Sequence, residues 1–313
     1  SVHRQHLEDP RSKLFYKFAE VLGWISETAA SMEIWFLGML ENVVGDEEDI
    51  TEMSRVLEAR PIKVCSSGLS WVRRPRLYWA SAELEDHPSF TRGHHELYEE
   101  VVFEEGPEPL EHVPDEGWKW LAAVENEEAR LPTFTRAIPR PKGRPPPSPA
   151  GIASCDGPTI ERWKADRMKY PPYTYKEEYL FQHEGTKELR VASVNERERL
   201  MGYPTGYTLG MFKKEARDER EADRQVVARE AALGNSFHAV TVACLIDLWL
   251  WSLQVRTDPL TPKVILKDWH ESMGVTEIKE YGELDVEGSQ AMPLSEGDEQ
   301  SLHEEFEIGR AHV

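Results

Sequence analysis

Cysteine is scarce: the 313-residue chain holds three, Cys65, Cys155 and Cys244. They lie far apart, form no Cys-x-x-Cys pair and match no histidine spacing, which argues against a disulfide framework and a structural zinc site and fits a reducing compartment. Long apolar runs are missing too. No uninterrupted stretch reaches the roughly 18 residues of a membrane-spanning helix, so no membrane partner is expected. The first residue is Ser1, and no basic segment followed by an apolar core reads as a secretory leader; a soluble intracellular protein is expected. No internal repeat is visible. Positive charge is also in deficit. Lys and Arg number 37 against 57 Asp and Glu, a net charge of -20, which repels a polyanion and argues against a generic nucleic-acid coat.

What is present is unevenly placed. Residues 81–130 carry 15 acidic and 3 basic side chains, and residues 271–313 carry 12 and 2. Between them, residues 131–170 hold eight Lys and Arg against three acids, a local +5 island. It reads either as a solvated basic loop or as a nucleic-acid-facing surface.

The length suits one large domain or two modest ones. LFYKFAEVLGWI places Leu14, Phe15, Phe18, Val21, Leu22 and Ile25 at helical spacing, predicting a helix with one buried stripe. IWFLGMLENV, residues 34–43, reads as a buried parallel strand with polar residues at its carboxyl end, the edge where open α/β sheets place their chemistry. DEEDITEMSRVLEA has an acidic first turn and predicts a helix burying Ile50, Met53, Val56 and Leu57. PIKVCSS and PRLYWAS read as two further strands, each led by a proline. Seven of the 21 prolines fall between 139 and 158, an extended linker. Helical order returns over 195–253 and ends in FHAVTVACLIDLWLWSL, read as a core helix; the acidic end of the chain is expected to be disordered.

Four short motifs occur in a telling order: MLENVVG (39–45), VRRPRLYWAS (72–81), ERERLMGYP (196–204) and LGNSFHAV (233–240). Together they resemble the later motifs of DNA cytosine-5 methyltransferases, and DITEMSRVLEARPIKV, PTFTRA and YPPYTYKEEYLF look most like the animal de novo class. The resemblance runs from about residue 7 to about residue 250. It implies an α/β, incomplete Rossmann-like fold of the S-adenosyl-L-methionine-dependent methyltransferases with an inserted target-recognition region. The implied divisions are 1–82 for the second half of the catalytic core, 83–194 for target recognition with the Pro-rich linker, 195–255 for the return to the core and 256–313 for an acidic tail. It further implies double-stranded DNA as partner, a possible homologous or regulatory methyltransferase partner, and a nuclear location.

By the same resemblance, Glu41 holds the N3 edge of a flipped-out cytosine and supplies a proton as a thiolate adds to C6. A positioned carboxylic acid relieves the negative charge that the attack puts into the ring. Asn42 would orient the loop, while Arg74 and Arg76 would contact the cytosine O2 and order the catalytic loop as fixed donor forks. Asn235, Ser236 and Phe237 would line the S-adenosylmethionine pocket, with Phe237 beside the adenosyl group. Thr133, Thr135 and Arg136 correspond to a DNA-facing loop, and Arg199 and Gly202 are architectural. Bland readings stand beside these: a solvated carboxylate for Glu41, an exposed basic strand edge for the arginines, helix capping for Asn235 and Ser236.

Two departures matter. The Gly-rich cofactor turn and the Pro-Cys motif with the nucleophile are missing, and HLEDPRSKLFYKF resembles the segment just after the nucleophile loop. The chain is therefore expected to be the C-terminal part of a longer protein and inactive alone. His238 and Ala239 also stand where most members have small apolar or proline residues. His94 and His95 lack a ligand partner and read as an exposed loop. Two other functions remain: a catalytically inactive regulatory homologue that binds a partner or DNA, and a tRNA-type cytosine-5 methyltransferase, which the long insert disfavours.

Overall fold

The computed structural model describes residues 14–107, 110–134, 152–212 and 216–260, together with Pro262, Val264 and Ile265. A central mixed sheet is built from β1 (Met39–Val43), β2 (Ile62–Cys65), β4 (Pro75–Ala80), β5 (Phe90–His94) and β6 (Glu99–Phe103), in the order β1-β4-β2-β6-β5. β4 runs antiparallel to both neighbours, with Tyr78 opposite Glu41 on one side and Ile62 on the other. β1 and β2 are therefore parallel to each other, joined by α2 (Glu47–Leu57), and β4 fills the gap between them. β2 pairs β6 in parallel, and β5 turns back antiparallel.

Both faces are covered, which places the chain in the expected α/β class. On one face Ile50 and Met53 of α2 pack on Leu77 and Trp79 of β4, whose indole donates 2.9 Å to Ser54 Oγ. On the other, α7 (Ala239–Ser252) lays Val240, Cys244, Leu245, Leu248 and Trp249 on Ile62, Val64, Tyr78, Val101 and Phe103. A second core gathers around Trp71, Trp120, Leu131, Phe181, Leu200 and Leu233. It is framed by β7 (Trp118–Trp120), β9 (Phe181–His183) and β10 (Leu189–Arg190), by β3 (Val72–Arg73) pairing β8 (Leu131–Pro132), and by α3 (Leu121–Glu125). α4 (Gly157–Ala165) sits with Tyr170 and Tyr175 beside it, and α5 (Val194–Leu200) and α6 (Glu219–Asn235) lead into α7.

Four expectations need correction. The run 34–43 is not a buried parallel strand: only Met39–Val43 pairs, antiparallel to β4, because β4 ends at Ala80 opposite Met39 and leaves 34–38 with nothing to pair beyond a turn at Ser81. Glu41 consequently sits mid-strand. α1 (Leu14–Ser31) forms but buries no residue completely. Phe15 joins the α2 cluster and Leu22 is half-buried near Gly38, whereas Leu14, Phe18, Val21 and Ile25 are exposed among the described residues. The chain from 83 on does not leave the sheet at once, as β5 and β6 extend it. Finally, residues 256–265 are not all loose tail: Leu260 N donates to Asp247, Arg256 Nη1 lies 2.6 Å from the same carboxylate, and Ile265 is buried in the α7 core. The rest of the expected tail and the linker residues 135–151 lie outside the described residues.

Glu219–Ser252 is apolar and long enough to cross a membrane by length and composition. The helix is broken at Ser236–His238, and the burial of α7 against the sheet accounts for its apolar character. Gly68 is needed for close approach. A Cβ there would lie 2.2 Å from the Phe103 carbonyl oxygen, a backbone atom that cannot step aside.

Burial sets the expected stability pattern. Leu245→Ala, at a site with no exposure, should cost about 2–5 kcal/mol in urea unfolding. Leu14→Ala, at a side chain 70% exposed, should stay within about 0.5 kcal/mol of the parent. Equal losses would contradict the open face of α1.

Candidate active site

A period of two puts alternate residues of an extended segment on one face, so Arg74, Arg76 and Tyr78 share the α7 side of the sheet. Glu41, opposite Tyr78, joins them. Arg76 Nε lies 2.9 Å from Glu41 Oε1 in an ion pair whose side chains are both largely buried. Arg76 Nη1 also donates 2.8 Å to the Pro75 carbonyl. Arg74 Nη2 donates to the carbonyl oxygen of Ser236, 162 positions along the chain. Tyr203 OH donates 3.2 Å to the next carbonyl, that of Phe237. All four sequence motifs thus meet at the turn between α6 and α7. The ERERLMG segment closes the seam: Met201 O accepts from Ala239 N at 3.0 Å, and Gly202, at φ +76°, passes close to Val240.

Among the described residues, Arg74 Nε and Nη1 are buried donors without a hydrogen-bond partner, and Glu41 Oε1 has the Arg76 cation of its ion pair as its near partner. Two donors therefore remain unmet beside the Glu41–Arg76 pair. Burial pushes the Glu41 carboxyl above its ordinary range, against the pull of Arg76 and then Arg74. Burial and the neighbouring Arg76 lower Arg74 to about 10, which leaves it charged at neutral pH.

The other expected residues are placed as follows. Asn42 points to the opposite face, where its amide lies 3.5 Å from Met53 Sδ and its oxygen accepts from Val43 N at 2.8 Å; it orients the strand end and does not face Glu41. Asn235 ends α6 exposed to solvent, and Ser236 caps it with Oγ donating 2.9 Å to Leu233 O. The hydroxyl and carbonyl of Ser236 and the carbonyl of Phe237 are thus committed internally, while the exposed Asn235 amide and the half-exposed Phe237 ring are open. These two offer S-adenosylmethionine one polar group and one apolar wall, which fits one side of a cofactor pocket. Thr133 donates 2.7 Å to the Arg73 carbonyl, tying the insert to the strand before Arg74. Thr135 and Arg136 lie outside the described residues.

Sequence reasoning missed Tyr78, Tyr203 and His238. Tyr78 was legible in the Arg-x-Arg-x-Tyr alternation. His238 is the N-cap of α7: its Nδ1 accepts from Thr241 N at 3.2 Å, and its ring bonds the Leu200 carbonyl. Burial and Arg74 lower its pKa to about 3, so it stays neutral. The three cysteines stand elsewhere: Cys244 in the core, its thiol pushed up to about 12 by burial, Cys65 at the end of β2 beside Ser67 Oγ, and Cys155 in the insert.

The carboxyl of Glu41 gives a direct test. Between its ordinary value and its raised one, the folded chain keeps a proton that the unfolded chain has released, so Glu41 favours folding at low pH and that contribution is lost as pH rises through the folded value. Arg76 holds the value down, so Arg76→Ala should move the Glu41 midpoint further up in a carbon-13 carboxyl titration. A midpoint that falls or stays would show that the two groups do not interact.

No family model matches the chain, and no curated protein matches it. Among solved structures the chain is similar to a triple mutant of Spodoptera frugiperda DNMT2, at 13% identity and a TM-score of 0.36, over 68% of this chain and 66% of that one. The chain thus spans just under two thirds of that structure, and a likeness at this distance assigns neither a family nor an activity.

Proposed function

We propose that this chain carries the base-recognition side of a DNA cytosine-5 methyltransferase site. The observation that supports this reading is the gathering of the Glu41–Arg76 ion pair and Arg74, whose buried Nε and Nη1 have no hydrogen-bond partner among the described residues. Each unmet buried donor of Arg74 costs about 1–3 kcal/mol, and the acceptor edge of a flipped base would satisfy both, while Glu41 Oε1 already has the Arg76 cation at 2.9 Å. A protonated Glu41 would donate to N3 of cytosine, and Arg74 Nε and Nη1 would reach O2. Arg76, braced by the Pro75 carbonyl, would hold Glu41 in place. As a thiolate adds to C6, charge develops in the ring and the Glu41 proton moves to N3. None of the chain's three cysteines is placed to supply that thiolate: Cys244 is buried in the core, Cys65 lies opposite Pro75 and so alternates away from the face of Arg76, and Cys155 lies in the insert. S-adenosylmethionine supplies the methyl group when bound, and on this chain it would meet Phe237. Double-stranded DNA is the proposed partner.

One observation favours a second reading, an inactive homologue that serves a methyltransferase partner: among the described residues the apolar side of α1 is uncovered, and Trp24 and Trp35 are both exposed. Activity separates the two only in a preparation that also contains the nucleophile. Base recognition is testable on the chain as it stands. It should prefer a duplex with a mismatched cytosine over the same duplex with an abasic site, and Arg76→Ala or Glu41→Ala should erase that preference, a loss of about 1–3 kcal/mol by titration calorimetry. Equal affinity of the unsubstituted chain for both duplexes would refute the proposal, and methyl transfer by this chain alone would show that the nucleophile lies within it.

A further inference from the structure

Tyr207 is 58% exposed, yet everything beneath it is fixed. Its ring stacks on Tyr203 with centroids 4.9 Å apart and planes 20° apart. Tyr203 is anchored by its hydroxyl on Phe237 and lies near enough to Arg74 and Glu41 for both charges to act on its phenol. The backbone on either side of Tyr207 is clamped by one carboxylate. Glu198, with no exposure, accepts from Gly206 N at 2.6 Å and Thr208 N at 2.8 Å, while Arg229 balances its charge at 3.0 Å. Gly206 supplies the φ of +84° that the turn requires. An exposed ring held this rigidly has already lost the freedom that stacking would remove.

We propose that Tyr207 is a base-stacking residue, which receives a nucleobase of an unstacked DNA strand next to the base held by Glu41 and Arg74. This rests on the reading of the site given above. The shelf's shape argues for a strand. A small cofactor is mostly enclosed when bound, whereas Tyr207 is open and is followed by exposed Leu209 and Met211, a ridge that suits successive bases of a polymer. Stacking is also indifferent to the chain's net charge of -20, because the base presents a π-face and no charge.

The test is binding of a single-stranded oligonucleotide carrying 2-aminopurine, followed by fluorescence across a salt series. Tyr207→Ala should weaken binding about 5- to 100-fold with an unchanged salt slope, and Tyr207→Phe and Tyr207→Trp should retain both the affinity and the stacking signal. Val124→Ala, at an exposed site on α3, should change nothing. Oligonucleotide binding that Tyr207→Ala leaves intact would overturn this inference and spare the site reading. No binding of any DNA would overturn both. If Tyr207→Ala instead weakened binding of S-adenosylmethionine and left the oligonucleotide unaffected, the shelf would belong to an adenine and the inference would fall. A melting temperature equal to the parent's would separate each loss from misfolding.

Discussion

Four consecutive charged residues on one short helix connect the parts of this molecule. In α5, Glu196, Arg197 and Glu198 are buried, and Arg199 is nearly so. Between them they reach the insert, the 206–208 turn and α6. Glu196 takes both arms of Arg190 at 2.7 and 2.9 Å and the amide of Asp115 at 2.9 Å, besides closing a capping box with Ser193. Arg197 bonds Ala192 O at 3.0 Å and lies over the rings of Tyr170 and Phe134. Glu198 holds the 206–208 turn and Arg229 of α6, and Arg199 bonds Val113 O, Thr205 and Asp115 at 2.6–2.9 Å. A buried ion pair adds little net energy when intact, but removal of one partner strands the other at about 3–5 kcal/mol. Removal of any one of the four would therefore strand its partners, which ties insert, turn and core to one another.

The candidate site depends on that constraint. Leu200 and Met201 end the same helix, and their carbonyls receive His238 and Ala239, which fixes where α7 begins. The turn before α7 then presents the Ser236 and Phe237 carbonyls to Arg74 and Tyr203. Glu41 and Arg76 need no such long-range aid, because cross-strand register alone brings them together. His238 is accommodated at the N-cap of α7. Its neutral ring does the work of a cap, and the nearby charge on Arg74 helps to keep it neutral.

How much of this was legible in the sequence follows from which interactions are local. The helix at 47–57, the strands led by Pro61 and Pro75 and the core helix after His238 carry clear period and boundary signals, and each was read correctly. The juxtaposition of Glu41 with Arg74 and Arg76 came from a resemblance of motifs, not from periodicity, and the structure brings these residues together. The pairing of β1 was misread because an apolar run cannot reveal which strand will lie beside it. The burial of α1 was misread for a related reason: helical spacing shows that a stripe exists, not that another element covers it. The Glu198 clamp was invisible, since a buried carboxylate satisfied by amides 8 and 10 residues later looks in sequence like any surface charge.

The basic island at 131–170 shows the same limit of composition. Of its described members, Arg162 Nε donates to the Tyr175 carbonyl at 3.0 Å, Lys164 pairs Glu161 on its own helix, and Lys169 pairs buried Glu230. Arg167 is exposed, and Arg136, Arg140, Lys142 and Arg144 lie outside the described residues. A cation already bonded inside the fold releases few counterions from a phosphate. Composition counts charges before the fold has paired them, so a local excess of Lys and Arg in sequence is not the same quantity as a basic surface.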